Sequence, residues 1–432
     1  MNWLTAAIFL LLPAIAWAAR RSGGSWYSPA AFFAGFWCVF AGLPLIAGPI
    51  TIAPAGMLFI AAACAAVLLG AWIAGKRQPA TMAAPFPPPE PPLLGWLIAA
   101  CTVLGLAVVA LILYSVETSS SAPRLLSFGA IVETIHKLAV ARNGGTWEEP
   151  AAARVLTTAT YLGAMLSGLM IGLREGWSRW LSLAVLVPSV LITVILTTRS
   201  SLLLPLALGA SSYLATSIAA GKAPSFTLKR VAWLAGLVVI MAGGFVLIQM
   251  ARYAGWSSGH PAAVAESLWL NTFPYMGVFS GWLQRYGLWD SLHLTFGQYT
   301  FAGAFDLFHI HSRVAGLYTE QVVINGSQYN VYTAFRGLVE DFTVPGALIF
   351  LALVGFGAEL VYQRVRSGNL LYVGILAAFY AVTLWSFVVD IFIYNTIVLT
   401  FVILIGYLAI ASRRSVRKAV ERFSPALSAN RT

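Results

Sequence analysis

Between Trp3 and Ala411 the chain is a succession of apolar runs, each about as long as a bilayer's hydrocarbon core is thick. A helix rising 1.5 Å per residue crosses about 30 Å of hydrocarbon in roughly 20 residues. Eleven runs qualify, at 3–19, 28–48, 54–74, 93–115, 155–173, 180–198, 201–220, 231–250, 343–363, 369–388 and 391–411. Only 9% of the residues are charged and the mean hydropathy is +0.81. An ordinary soluble domain carries about 25% charged residues, so a soluble multidomain enzyme is excluded, as are disordered and collagen-like chains. Cys38, Cys64 and Cys101 all sit inside apolar runs, which indicates neither a disulfide framework nor a zinc site. The expectation is a single all-α polytopic membrane domain over 1–432.

Charge order sets the expected orientation. Arg20 and Arg21 follow the first apolar run and no Lys or Arg precedes it, which suits an uncleaved helix with its N-terminus outside. The intervening inner segments and the tail then hold 17 of the 26 cations, the positive-inside pattern, and the C-terminus falls in the cytoplasm. The net charge of +11 therefore has a topological cause. The cations form no stripe or motif that would engage nucleic acid. Residues 76–92, with Pro87-Pro88-Pro89, read as a stiff cytoplasmic linker, and 412–432 as a basic cytoplasmic tail able to meet anionic headgroups.

Two expected outer segments are too long to be mere connectors. In 116–154, the apolar residues of Leu125–Val140 recur at helical spacing, so a surface-lying amphipathic helix is expected. The other, 251–342, is the large late periplasmic loop. All five histidines and 11 of the 15 acids fall outside. His309-Ile310-His311 with Arg313 would share a strand face, but no third ligand is identifiable, so no metal is expected and solvated loop histidines are the plainer reading.

Position singles out a few outer cations. Arg199, in Thr197-Thr198-Arg199-Ser200-Ser201, lies between two apolar runs with almost no spare residues. An arginine near membrane depth is costly unless paired or snorkelling, so it is either functional or a snorkelling helix-end residue. Arg252 is similar, ending the eighth run just as the chain enters the large outer loop. The densest cluster is Asn330-Val331-Tyr332-Thr333-Ala334-Phe335-Arg336-Gly337-Leu338-Val339-Glu340-Asp341-Phe342, followed by Thr343-Val344-Pro345-Gly346 and an apolar run. Pro345 suits the first turn of a helix and Thr343 its cap. The positive end of that helix dipole, with Arg336, suits a pyrophosphate. If 332–341 is helical, Arg336 and Glu340 stand one turn apart and pair. Glu340 and Asp341 then either complement the dipole or supply a general base.

The stretch Asn330-Val331-Tyr332-Thr333-Ala334-Phe335-Arg336, then Glu340-Asp341-Phe342 and Gly346 opening an apolar run, resembles the signature of bacterial oligosaccharide repeat unit polymerases, the Wzy-type O-antigen polymerases. Thr198-Arg199-Ser200-Ser201 and Arg252 resemble further family features, and about a third of the chain carries the likeness. Thr343-Val344-Pro345 departs from the Gly-rich residues more usual after Asp-Phe. The resemblance implies a membrane-embedded, GT-C-type glycosyltransferase in the bacterial inner membrane that needs no cofactor. It would move a growing glycan from undecaprenyl pyrophosphate to a lipid-linked repeat unit, beside a chain-length regulator and a flippase. On that reading Arg199, Arg252, Arg336 and Arg285 bind pyrophosphate, and Asp341, Glu340 and Arg336 are catalytic. Asn330, Tyr332, Thr333, Trp282 and Tyr286 meet the glycan. An O-antigen ligase acting on lipid A shares this donor and is the alternative enzyme. A lipid-linked oligosaccharide flippase is the alternative transporter, but it should place ionisable groups inside its spans, where this chain has almost none.

Overall fold

The computed structural model describes residues 3–47, 50–76, 90–119, 137–138, 141, 147–222, 224, 227, 236, 243, 274–286, 294–310, 318, 320–324 and 327–429. The chain is an all-α polytopic membrane protein. Eight described helices are long and apolar enough to cross a bilayer, and the apolar helices Ser182–Leu196 and Leu370–Trp385 are shorter. Most of the expected run at 231–250 lies outside the described residues, as do most of the linker at 76–92 and most of the surface helix at 125–140. Of the latter, Lys137 and Leu138 are helical, and Leu138 packs into a small apolar cluster with Ile112, Ile192 and Leu196.

The first run is two helices, α1 (Trp3–Phe9) and α2 (Leu11–Gly23), with Pro13 in the opening turn of α2 and Gly24 in the left-handed region at its end. Next come α3 (Pro29–Ala47), α4 (Pro54–Gly75, with Pro54 at its start), α5 (Leu94–Ser119) and α6 (Ala151–Leu173). The span expected at 180–198 is not one α-helix. A 3-10 stretch, Trp177–Leu186, turns into α7 (Val187–Leu196) at Pro188, whose missing N–H is tolerated only in a first turn. After α8 (Ser200–Ala219) come α9 (Tyr275–Tyr286), α10 (Ala302–Leu307) and a hairpin of β1 (Val322–Ile324) and β2 (Ser327–Tyr329). The hairpin is antiparallel, pairing Val322 with Tyr329 and Ile324 with Ser327.

The longest apolar element is α11 (Ala334–Arg366), and it is broken. Thr343 has φ 63°, ψ 172°, which divides a short helix ending at Phe342 from the long apolar helix beyond. Sequence spacing anticipates both pieces and puts Pro345 where its missing N–H costs no hydrogen bond. It does not anticipate a β-branched residue at positive φ, a strained conformation that persists only where surrounding contacts impose it. Phe342 and Phe350 stack across the break, 5.2 Å apart. α12 (Leu370–Trp385), capped by Asn369, ends three residues short of its expected limit. Ser386 instead turns back, and its carbonyl accepts the N–H of Ala334 at 2.7 Å. Asp390 caps the 3-10 turn Ile391–Ile393, and α13 (Asn395–Ala429) runs through most of the segment expected as a separate tail.

Glycines set the tightest helix contact. A Cβ on Gly70 of α4 would lie 1.8 Å from the Ala352 carbonyl oxygen of α11, and one on Gly355 would lie 2.3 Å from that of Val67. The two helices thus meet backbone to backbone, the arrangement small residues permit where lipid supplies no hydrophobic drive. Gly70→Ala should overpack this seam by about 1–3 kcal/mol. It should lower the thermal midpoint of the detergent-purified protein, whereas Gly357→Ala, where an added Cβ meets nothing within 4 Å, should leave it unchanged or raise it.

Candidate functional site

The short helix before Thr343 carries the site. It is anchored by Phe335, which is buried against Trp37 of α3 (ring centroids 4.7 Å apart), Phe59 of α4 (5.3 Å) and Phe279 of α9 (5.9 Å). Its far end is clipped by Asp341, which is fully buried. The Asp341 carboxylate accepts hydrogen bonds from the Thr295 hydroxyl, from Tyr299 N–H at 3.0 Å and from Thr300 N–H at 2.7 Å. Its own carbonyl takes Phe296 N–H. One side chain therefore straps the whole 295–300 turn onto the helix just ahead of the break.

Between these anchors, Thr333, Arg336, Gly337 and Glu340 recur at helical spacing and share a face. Arg336 is 5% exposed. Its Nε donates to Glu340 Oε1 at 2.9 Å, and its Nη2 to Glu320 Oε2 at 2.9 Å. Aromatic rings wall the guanidinium: its Cζ lies 3.9 Å from the ring centroid of Tyr318, 4.0 Å from that of Tyr332 and 4.9 Å from that of Trp282. Such desolvated cation–π contacts are worth up to about 2 kcal/mol. Gly337 gives the walls room, since a Cβ there would already lie 3.3 Å from Tyr318 Oη and 3.4 Å from Tyr299 Cβ. Tyr299 and Tyr318 stack 5.8 Å apart. Burial pushes the Tyr318 phenol well above its usual range, and the Glu340 charge adds to this while Arg336 opposes it. Tyr318 is therefore a neutral phenol at any physiological pH.

Four buried polar atoms around this face have no hydrogen-bond partner among the described residues: Arg336 Nη1, Glu340 Oε2, Thr333 Oγ1 and Thr300 Oγ1. Buried polar groups are nearly always satisfied, and two of these atoms, Arg336 Nη1 and Glu340 Oε2, belong to one ion pair, which makes that pair the place where a polar guest would find both a donor and an acceptor. A fixed cation beside a carboxylate with an open oxygen can orient a hydroxyl and take its proton.

The residues anticipated from the sequence are thus partly gathered. Arg336, Glu340, Tyr332 and Trp282 come together, with Arg285 exposed in the last turn of α9 and near enough to act electrostatically on Tyr332. Asp341 adjoins them, with its carboxylate accepting from three donors of the 295–300 turn. Trp282 and Tyr332 are buried at 3% and 1% exposure, so they back the guanidinium rather than offer a free stacking face. Tyr286, half-buried, lies on Trp282 with centroids 4.6 Å apart, and Asn330 is exposed. Arg199 is half-buried at the start of α8, where its carbonyl accepts the N–H groups of Leu202 and Leu203. Arg252 lies outside the described residues, as do His311 and Arg313. His309 sits in a turn rather than on a strand.

Sequence reasoning missed Glu320 and Tyr318 as partners of Arg336, and Thr295, Tyr299 and Thr300 as partners of Asp341. Glu320 was visible only as one outer acid among many. Asp390 proves to be a capping residue, its carboxylate accepting Phe392 N–H at 2.8 Å.

No protein-family model, curated protein or solved structure matches the chain.

Asp341→Asn keeps one acceptor oxygen but sets an amide donor against a backbone N–H. Leaving that buried N–H unmatched should cost about 1–3 kcal/mol, read as a lowered thermal midpoint. Burial pushes the Asp390 carboxyl up to about 7, opposed by the Phe392 N–H bond and reinforced by Asp341. With the folded value raised, the stability linked to Asp390 is full below the ordinary carboxylate range and is lost as pH rises through about 7. The thermal midpoint of Asp390→Asn relative to the parent should therefore be more favourable at pH 8 than at pH 5.

Proposed function

We propose that the protein is a glycosyltransferase that polymerises lipid-linked oligosaccharide repeat units at the periplasmic face of a bacterial inner membrane. It moves the growing glycan from undecaprenyl pyrophosphate to the terminal sugar of a new lipid-linked repeat. The observation that carries this reading is the Arg336–Glu340 couple, held under aromatic rings on the short helix, with Nη1 and Oε2 both buried and without a hydrogen-bond partner among the described residues. A transfer reaction needs such a couple: a carboxylate to take the acceptor's proton and a fixed cation to hold the reactants in place. The fuller architecture, eleven spans with a periplasmic N-terminus, a cytoplasmic C-terminus and a GT-C-like plan, belongs to the same proposal.

The leaving group is a lipid diphosphate, so negative charge gathers on phosphate oxygens as the glycosidic bond breaks. Preorganised cations stabilise that charge most where water is scarce. Arg199, Arg252 and Arg285 are assigned to this task. The arginine fork matches phosphate oxygens two at a time, which a lysine ammonium cannot do. The ligase reading shares the donor and differs only in the acceptor, so the product separates the two. Transport is less well supported, because the charged cluster lies at a helix end rather than along a path through the spans.

In a strain lacking this protein, lipid-linked glycan should stop at one repeat, and complementation should restore a ladder. Arg336→Ala and Arg199→Ala should each abolish the ladder while inserting at parental levels, and lysine at either position should restore it only in part. A normal ladder in the deletion strain overturns polymerase activity; a defect confined to transfer of finished chains identifies the ligase.

A further inference from the structure

The open atoms of the Arg336 site are of unlike kind: Nη1 of Arg336 can only donate, and Oε2 of Glu340, as a carboxylate, can only accept. Thr333 and Thr300 add hydroxyls that do either. A diphosphate offers acceptors alone, so it would satisfy Nη1 and set its own charge against Oε2. A sugar ring offers both, through vicinal hydroxyls of which one accepts and the next donates.

The local charge points the same way. Arg336 is already held by two carboxylates, Glu320 and Glu340, at 2.9 Å each. Asp341 adds a third carboxylate and Arg285 a second guanidinium, so among the described residues the negative charges at the site outnumber the positive. A site of that balance repels anions. Of the two carboxylates on Arg336, the Glu320 side chain is 51% exposed and that of Glu340 is 14% exposed. Glu320 is therefore the charge an arriving molecule meets first. Tyr332 fixes it there, its hydroxyl donating to the Glu320 carbonyl at 2.9 Å.

We infer that the Arg336–Glu340 couple receives the acceptor sugar, that this sugar is uncharged, and that Glu320 is the residue that turns acidic sugars away. The inference rests on the glycosyltransfer proposed above and assigns its acceptor subsite. One hydroxyl accepts from Arg336 Nη1, which orients the ring, and its neighbour faces Glu340 Oε2. In the transfer, that neighbour's oxygen forms the bond to the donor's anomeric carbon and its proton passes to Oε2. The bond from the anomeric carbon to the lipid diphosphate breaks, and its electron pair leaves with the diphosphate. Glu340 is thus the base of the acceptor half, and the diphosphate is received by the other arginines.

The test is ligand-observed saturation-transfer NMR on the full chain in lipid nanodiscs, which avoids sugar-headed detergents. The probes are methyl β-D-glucopyranoside, methyl β-D-glucuronide and inorganic pyrophosphate. The glucoside should bind, and Glu340→Gln should weaken it about ten-fold, as expected for loss of a charged acceptor. The glucuronide should bind at least about ten-fold more weakly than the glucoside, the effect of a like charge set close by. Glu320→Gln, an exposed change that spares the fold, should close most of that gap. Pyrophosphate should neither displace the glucoside nor respond to Glu340→Gln. Failure of the glucoside to bind, its displacement by pyrophosphate, or equal binding of glucoside and glucuronide in the parent overturns the assignment. Glucoside binding that depends on Glu340, together with a normal ladder in the deletion strain, upholds the sugar site and removes the polymerase reading.

Discussion

A single carboxylate, that of Asp341, ties the site together. It gathers three donors from the 295–300 turn onto the end of a short helix, immediately before the backbone reverses its dihedral at Thr343. In a dry setting this is worth far more than a surface pair, because each of those donors would otherwise be buried without a partner. The clip fixes Tyr299, whose ring stacks on Tyr318, and Tyr318 in turn faces the Arg336 guanidinium. At the other end of the same short helix, Phe335 is lodged among the aromatic rings of three further helices. The chemistry-bearing residues stand between two anchors that depend on neither of them.

Such a frame explains how a guanidinium can be almost fully buried and still keep one nitrogen open. Two carboxylates meet its Nε and Nη2 and rings cover its faces, so its charge is compensated without Nη1. Removing Glu340, the more enclosed of the two carboxylates, would leave the buried charge leaning on a half-exposed partner alone, the costly direction for ionic groups away from water. Arg285 is exposed and Arg199 half-buried. The contrast divides the labour in the proposed transfer: the enclosed cation orients and the accessible ones neutralise.

The helices were largely legible from the sequence, because crossing hydrocarbon imposes one arithmetic on every span and leaves little room for alternatives. The departures arise where local chemistry overrides length, as at Pro188, which ends a 3-10 stretch, and at Ser386, which leaves its helix to bond Ala334. Around the site, the one-turn pairing of Arg336 with Glu340 follows from helical spacing and could be anticipated. The partnerships of Arg336 with Glu320 and Tyr318, and of Asp341 with the 295–300 turn, could not. They join positions 16 to 46 residues apart through a loop without periodicity. Asp341 shows the limit plainly, since nothing in its sequence neighbourhood points to the three donors it accepts from.

The glycine contact between α4 and α11 has a consequence for traffic. With Gly70 and Gly355 seated on the opposing backbones, no lipid tail can pass between these two helices without prising apart main chains already in van der Waals contact. At that level the seam is closed, and a chain entering from the lipid between α4 and α11 would have to come in nearer their other ends.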